Sequence, residues 1–221
     1  MNQINPAQNR DMSQADIDKL EKLKTGTTTI GIIIKDGVIL ATESQATAGF
    51  TIATKKAQKL FQINKYTGAT IAGGVADCQY VVSQAQAMSR LEGVRFDKTP
   101  TVDYVANVVR NMLFRGRSYF YAFMIVGGYN HKEKVGKLFP IDFIGYMTDS
   151  ENYVSLGSGS TFALGVLEGN WKPDLSTDEG VELVKQALTA ARQRDAGSGY
   201  GVQIAKITKD GFEAVEGPLK D

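Results

Sequence analysis

The residue best placed for chemistry in this sequence is Thr27, which follows Gly26 and a polar N-terminal segment. A threonine hydroxyl needs an adjacent base to act as a nucleophile at neutral pH. If the chain is cut between Gly26 and Thr27, the freed α-amine becomes that base, because its ordinary pKa is about 7.7–8.0. Before the cut the same nitrogen is an amide, so cleavage would activate the residue. The triplet 27–29 would serve equally as the β-branched start of a strand, so the hypothesis depends on the rest of the chain.

The composition argues against most other kinds of catalytic site. The 221 residues include one cysteine, Cys78, and one histidine, His131, which lies in a polar run and is expected in a solvated loop. Zinc sites and Ser/His or Cys/His pairs are hard to build from so few residues. A single cysteine rules out an internal disulfide and favours a reducing compartment, so we expect a cytoplasmic protein. The net charge of +1 predicts neither nucleic-acid nor membrane-surface binding.

The elements that must position Thr27 begin with a hairpin. Residues 28–34 predict a strand, and the Asp36-Gly37 pair predicts a turn into a second strand over residues 38–42. This turn would place Glu43 opposite Ile30. Strict alternation would then direct the Glu43 side chain to the face turned away from the proposed nucleophile, so a bulge or strong twist would be needed to bring it round.

The remaining patterns predict blocks of strands and blocks of helices. Strands are expected over residues 59–64, 69–74, 119–129, 138–146, 153–156, 202–208 and 212–215, and helices over 76–91, 101–114, 161–167 and 176–192. Gly93 and Gly116 are expected to end the first two helices. Strands segregated from helices indicate layered packing in one domain. Residues 13–24 carry a thin apolar stripe, which predicts at most a weakly held helix in a propeptide.

Four separated motifs, in this order, resemble the proteasome β-subunit family and its archaeal members in particular. They are residues 26–31, Lys59, residues 157–160 and residues 194–199. The resemblance extends from Gly26 to about Thr208. It implies the N-terminal-nucleophile hydrolase fold, an α+β, four-layer αββα sandwich of two antiparallel sheets between helix layers. Residues 27–221 would form this domain after removal of residues 1–26 as a propeptide.

The resemblance also implies a catalytic group. Its members would be Thr27 as nucleophile, Lys59 beside it, Glu43 as the carboxylate that keeps Lys59 ionised, Ser158 and Ser198 near the new amine, Asp195 holding both serines, and the Gly73 N–H as oxyanion donor. Two positions depart from the family pattern, because Glu43 stands where aspartate is common and Gln45 where arginine is common.

The substrate site follows from the same resemblance. Thr47 and Val75 correspond to positions that hold the substrate backbone as an added strand. The specificity pocket would be lined by the small or apolar residues Ala46, Ala57, Ile71 and Val75. An uncharged pocket of this kind leads to the hypothesis of cleavage after large hydrophobic residues.

Three functions are compatible with these residues. The first is a threonine endopeptidase that cuts itself between Gly26 and Thr27 and degrades unfolded polypeptides. The resemblance implies no cofactor, a homo-heptameric β ring stacked with rings of α subunits, and an ATP-dependent unfoldase that supplies substrate. The second function is that of a non-catalytic β subunit. The presence of Thr27, Lys59, Asp195 and Ser198 argues against it. The third is an amidase acting on a small molecule, for which the sequence offers no dedicated polar pocket. Whether processing needs α subunits, and whether a second β subunit shares the ring, stay open.

Overall fold

A computed structural model describes residues 26–150 and 152–217. The strands are β1 (Thr29–Ile34), β2 (Gly37–Glu43), β3 (Ala46–Ala48), β4 (Thr51–Thr54), β5 (Leu60–Asn64), β6 (Thr67–Gly73), β7 (Ala122–Asn130), β8 (Val135–Ile141), β9 (Tyr153–Leu156), β10 (Val202–Thr208) and β11 (Gly211–Glu216). The helices are α1 (Val75–Phe96), α2 (Val102–Arg115), α3 (Ser160–Asn170) and α4 (Thr177–Arg194). None of these helices is long and apolar enough to cross a membrane.

Nine of the strands form two antiparallel sheets that pack face to face, and β3 and β4 form a separate two-stranded hairpin. One sheet has the order β11-β10-β2-β1-β9, and the other has the order β5-β6-β7-β8. Helices α3 and α4 cover the outer face of the first sheet, and α1 and α2 cover the outer face of the second. The architecture is therefore the αββα sandwich that the resemblance implied.

The central strands β1 and β2 are almost continuously apolar because both of their faces are buried. In β2, Ile39 and Ala41 pack toward the helices, whereas Val38 and Leu40 pack against the opposite sheet. Burying both faces takes much more apolar area from water than a half-exposed strand does, at about 25 cal/mol for each Å². These two strands are thus the rigid base from which the residues before β1 and after β2 extend.

Helix α4 carries one part of the site at its C-terminal end. Its N-terminus has the predicted capping box, in which Ser176 accepts a hydrogen bond from the Glu179 amide and the Glu179 side chain accepts one from the Ser176 amide. Hydrogen bonds from Ser176 and the nearby Lys172 lower the pKa of Glu179 to about 2. At its other end the helix stops at Asp195, whose amide bonds the Ala191 carbonyl.

The register predicted for the first hairpin is wrong. Ile34 pairs with Gly37, so the turn consists of residues 35–36, and the last pair is Thr29 with Thr42. Glu43 therefore lies opposite Thr28 and not Ile30. Gly37 is the first residue of β2 and pairs with both Ile34 and Thr208. Glycine is needed there because a Cβ would lie 2.1 Å from the Ile207 carbonyl oxygen of the neighbouring strand. The glycine serves close sheet packing, not the turn.

Other predicted boundaries also differ. Helix α1 runs past Gly93 to Phe96 and is capped by Asp97, which adopts a left-handed φ of 48°, while Gly116 caps α2 as predicted. Strand β8 ends at Ile141, earlier than expected, and the short β3–β4 hairpin was not predicted. The helix predicted over residues 13–24 lies outside the described residues.

Candidate active site

Thr27 lies just before β1 and only 3% of it is exposed. Its Oγ1 accepts a hydrogen bond from Lys59 Nζ at 2.8 Å and donates one to the Gly26 carbonyl oxygen at 2.6 Å. Lys59 precedes β5, in the opposite sheet. The contact between hydroxyl and amine therefore joins the two sheets at this point.

Glu43 is fully buried at the end of β2 and holds Lys59 in place. Its Oε1 lies 2.5 Å from Lys59 Nζ. Its Oε2 accepts hydrogen bonds from the backbone amides of Gln45 at 2.6 Å and Gly199 at 3.1 Å. The expected obstacle of strand alternation does not arise, because β1 begins at Thr29 and the carboxylate reaches past the end of that strand.

Burial shifts the proton affinities of this pair in opposite directions. Desolvation raises the pKa of Glu43 and lowers the pKa of Lys59, while the opposite charge of each partner opposes the shift of the other. Lys59 therefore releases its proton more readily than an exposed lysine would. A group with this property suits a position beside a hydroxyl that has to lose a proton.

A second cluster surrounds the backbone nitrogen of Thr27. Ser158 Oγ accepts a hydrogen bond from that nitrogen at 3.1 Å and donates to Asp195 Oδ2 at 2.6 Å. Ser198 Oγ donates to the same Asp195 oxygen at 2.6 Å. Since the Ser198 proton is used there, the 2.6 Å contact between Thr28 Oγ1 and Ser198 Oγ has Thr28 as donor. The nitrogen that would become a free amine already has an oriented partner.

Two cavities flank Thr27. The smaller one, of about 20 Å³, is lined by all four residues of the predicted specificity pocket together with Thr27 and Lys59; the four are Ala46, Ala57, Ile71 and Val75. The larger one, of about 660 Å³, is lined by Thr47 and Ser158 among others. The hydroxyl of Thr47 accepts a 3.0 Å hydrogen bond from the Gly26 amide.

Comparisons with known proteins find relatives over most of this chain. A family model described as proteasome subunit matches residues 23–207. A proteasome subunit beta of Methanoregula boonei is 40% identical over 199 residues, which cover 90% of this chain and 92% of the relative. One from Methanocaldococcus vulcanius is 42% identical over 189 residues, covering 85% of this chain and 84% of the relative.

The chain belongs to the proteasome subunit family. A third relative, a proteasome subunit beta 1 of Pyrobaculum arsenaticum, is 40% identical over 191 residues, or 86% of this chain and 94% of the relative. Membership of this family, with relatives that are β subunits, supports the function of a catalytic β subunit that hydrolyses peptide bonds.

The seven residues predicted for catalysis in this proteasome subunit fall into adjoining groups. Thr27, Glu43 and Lys59 form one, and Ser158, Asp195 and Ser198 form the other, with the Thr27 nitrogen between them. Gly73 lies at the end of β6 and lines both cavities. It has a φ of 107°, and a Cβ there would lie 2.4 Å from the Tyr121 carbonyl oxygen, so only glycine fits without strain.

Sequence reasoning missed the glycines that allow other segments to approach Thr27. A Cβ on Gly157 would lie 2.1 Å from the Thr27 carbonyl oxygen, and one on Gly159 would lie 2.0 Å from Thr28 Oγ1. A Cβ on Gly26 would lie 2.0 Å from the Cα of Gly197. Their presence in short glycine-rich runs was the available signal, but such runs are also typical of flexible turns.

Gln45, which stands where arginine is common in the family, bonds to the loop after α4. This buried side chain donates a 2.9 Å hydrogen bond from Nε2 to the Ala196 carbonyl, and its Oε1 would lie 2.4 Å from a Cβ on Gly199. Gln45 therefore supports the loop that carries Asp195. Among the residues that the structure describes, Lys59 is the one cation within salt-bridge distance of Glu43.

Proposed function

We propose that this chain is a threonine endopeptidase, made as a precursor and activated by cutting itself between Gly26 and Thr27. The observation that carries the proposal is the line of contacts from Thr27 Oγ1 to Lys59 Nζ and on to Glu43, with Ser158 bonded to the Thr27 nitrogen. A nucleophile, a cation beside it and an oriented nitrogen are what N-terminal threonine catalysis requires.

The activating step is an attack of Thr27 Oγ1 on the carbonyl carbon of Gly26. Oγ1 lies 2.6 Å from the oxygen of that carbonyl. Because the Thr27 nitrogen is still an amide, Lys59 is the base within reach of the hydroxyl. The Gly26–Thr27 C–N bond breaks as the ester C–O bond forms, and the Thr27 nitrogen takes up a proton. Water then hydrolyses the ester, which leaves a carboxylate on Gly26 and a free amine and hydroxyl on Thr27.

In the mature enzyme the freed amine replaces Lys59 as base. The amine takes the proton of Oγ1, and Oγ1 attacks the carbonyl carbon of the substrate bond. The Lys59 ammonium stabilises the charge that develops on Oγ1, and the Gly73 amide is the proposed donor to the substrate oxyanion. The substrate C–N bond breaks, its amine leaves with a proton, and water releases the acyl half. Ser158 and Asp195 keep the amine oriented throughout.

The small cavity beside Lys59 is the proposed specificity pocket. Ala46, Ala57, Ile71 and Val75 supply no charge, which supports cleavage after hydrophobic residues. The cavity of about 20 Å³ in the precursor is too small for a large side chain, so the assignment requires the pocket to widen when Gly26, which also lines it, is released. Fluorogenic peptides ending in Tyr, Arg or Glu test this, with the Tyr peptide expected to be hydrolysed fastest. Faster hydrolysis of the Arg peptide would contradict the assignment.

Family membership supports the proposed setting. The chain would form homo-heptameric β rings stacked with α-subunit rings in the cytoplasm. An ATP-dependent unfoldase would feed unfolded polypeptides to the enclosed sites. Enclosure has a physical purpose, since a peptidase of broad specificity must be kept from folded proteins.

The decisive experiment is co-expression with an α subunit, followed by sizing of the assembly and intact-mass measurement of this chain. The wild-type chain is expected to begin at Thr27. Thr27→Ala is expected to assemble, to keep residues 1–26 and to lose peptidase activity. Thr27→Ser is the matched control, because it keeps a hydroxyl and is expected to be cut. Cutting of Thr27→Ala, or a wild-type assembly that keeps Met1, would reject self-processing and favour a non-catalytic ring subunit.

A further inference from the structure

The larger cavity beside Thr27 is lined by Gly73, Ser158 and Asp195 of the proposed machinery, but most of its lining has no assigned role in the reaction. Its volume is about 660 Å³, within the range of roughly 300–1,000 Å³ typical of small-ligand sites. One wall is apolar and largely aromatic, and it consists of Phe50, Ile52, Tyr121, Phe123 and Leu156. The polar end is formed by Ser158 and Asp195. The cavity is therefore large enough for a bulky apolar side chain.

The linings of the two cavities contain different hydrogen-bond partners of Thr27. Lys59 lines the small one and Ser158 lines the large one, while Gly26 and Gly73 line both. If the acyl half of a substrate places its side chain in the small cavity, the leaving half continues toward Ser158. Release of Gly26 on maturation would join the two cavities into one cleft across Thr27.

We propose that the large cavity binds the leaving half of the substrate and selects an aromatic or large aliphatic residue at the first or second position after the cut bond. This inference rests on the proposed function and adds a second specificity determinant to it. The selecting residues are Phe50, Tyr121 and Phe123.

The arrangement of the aromatic rings supports an aromatic or aliphatic ligand. The Tyr121 and Phe123 rings lie 5.4 Å apart at 89°, and Phe143 packs against Phe123 at 5.4 Å and 62°. Edge-to-face contacts of this kind stabilise the positions of the Tyr121 and Phe123 rings. Rings that are already held in place lose less conformational entropy when an apolar side chain binds against them.

Phe50 is the residue of this wall that is most exposed to solvent. It lies in the β3–β4 connection, and its relative exposure is 111%, whereas Ile52 beside it is 43% exposed. A fully exposed phenyl ring at the mouth of an apolar cavity gains most if a ligand removes it from water. We therefore assign Phe50 to contact with the substrate.

Charge at the polar end disfavours acidic ligands. Asp195 is the charged residue in the lining, and its carboxylate accepts hydrogen bonds from Ser158, Ser198 and the Gly197 amide. An acidic residue early in the leaving half would be repelled by this carboxylate. The cavity thus predicts an order of preference of aromatic or large aliphatic, then small polar, then acidic residues.

The test uses the assembled, mature enzyme and peptides that share one acyl half. The first and second residues after the cut vary among Phe, Leu, Ser and Glu, and kcat/KM is measured by mass spectrometry of the products. Each value is divided by the rate of the same enzyme on a fluorogenic amide of the same acyl half, whose leaving group is a single small amine. The wild-type enzyme is expected to favour Phe over Ser by about tenfold at one of these positions.

Combined in one variant, Phe50→Ser and Phe123→Leu are expected to reduce the preference for Phe over Ser to near one. Phe96→Ser, which removes an exposed ring at the end of α1 and away from the cavity, is the matched control and should leave the ratio unchanged. A wild-type ratio near one, or a ratio that survives both substitutions, overturns the inference. Lack of hydrolysis of the fluorogenic amide by the wild-type enzyme would instead be a failure of the proposed function.

Discussion

The backbone amide of Gly199 donates a 3.1 Å hydrogen bond to Oε2 of Glu43, which lies 156 residues earlier in the chain. The other oxygen of the same carboxylate contacts Lys59 Nζ. One buried side chain therefore connects the Thr27–Lys59 pair to the loop that carries Asp195. Changes at Glu43 should affect both clusters at once.

Replacing Glu43 by aspartate should weaken the enzyme although the charge is kept. The side chain becomes one methylene shorter, so it cannot reach Lys59 and both backbone amides together. A buried donor left without a partner costs about 1–3 kcal/mol. We expect a lower thermal midpoint and a lower kcat on a fluorogenic peptide in Glu43→Asp. Unchanged values of both would show that the loop does not depend on this carboxylate.

Removing Lys59 should separate stability from catalysis. Lys59→Met leaves the Glu43 charge buried without a cation and is expected to cost about 3–5 kcal/mol of unfolding free energy. The double variant Glu43→Gln/Lys59→Met should regain much of that stability, because no charge remains buried, but should stay inactive. Denaturant unfolding and peptidase assays measure the two effects.

The half-exposed pair Lys206–Glu213 supplies a control for that experiment. Lys206→Met should change the free energy of unfolding by no more than about 1 kcal/mol. Recovery of activity in the Glu43/Lys59 double variant would mean that the lysine has only a structural role.

The pH profile of Glu43→Gln should move to lower pH. The Glu43 charge raises the pKa of Lys59, so removing that charge lowers the pKa of Lys59. For the same electrostatic reason, removing the charge also lowers the pKa of the nearby Thr27 amine. Activity that needs a neutral amine then begins at lower pH, and activity that needs a Lys59 ammonium ends at lower pH. Both limbs of kcat/KM against pH should shift in the same direction. A shift to higher pH would contradict the assigned charges, and Glu213→Gln should leave the profile in place.

Gly197→Ala should block maturation more than turnover. A Cβ at residue 197 would lie 2.2 Å from the Cα of Gly26, which is present only in the precursor. Its contact with Ser158 Oγ, at 3.1 Å, remains in the mature chain but is much less severe. We expect uncut precursor to accumulate in the full chain. The same substitution in a chain produced with Thr27 as its first residue should retain much more activity.

Gly165→Ala is the control for this prediction, because a Cβ there meets no atom within 4 Å. Intact-mass analysis over time follows the cut in each precursor. Equal impairment of the directly produced chain would show that residue 197 matters to the mature site and not to the passage of Gly26.

Local patterns in the sequence predicted most elements of this fold. The capping box at Ser176 and Glu179, the strand after Thr28 and the end of α2 at Gly116 depend on residues a few positions apart, and the structure contains each of them. The failures involve distant neighbours. Gly37 was expected in the turn, but the strand containing Ile207 requires it inside β2.

By itself, the sequence determined which residue types are available for chemistry. It has Thr27 behind a glycine, a lysine at position 59, and so few histidines and cysteines that a zinc site or a Ser/His or Cys/His pair is hard to build. Only the tertiary structure decided that Glu43 reaches Lys59, that Gln45 supports the loop after α4, and that an aromatic cavity adjoins the site. The physical reason is that a pattern of neighbouring residues sets the local backbone and the buried face. Contacts between remote segments depend on where each strand ends and on which glycines let backbones come close.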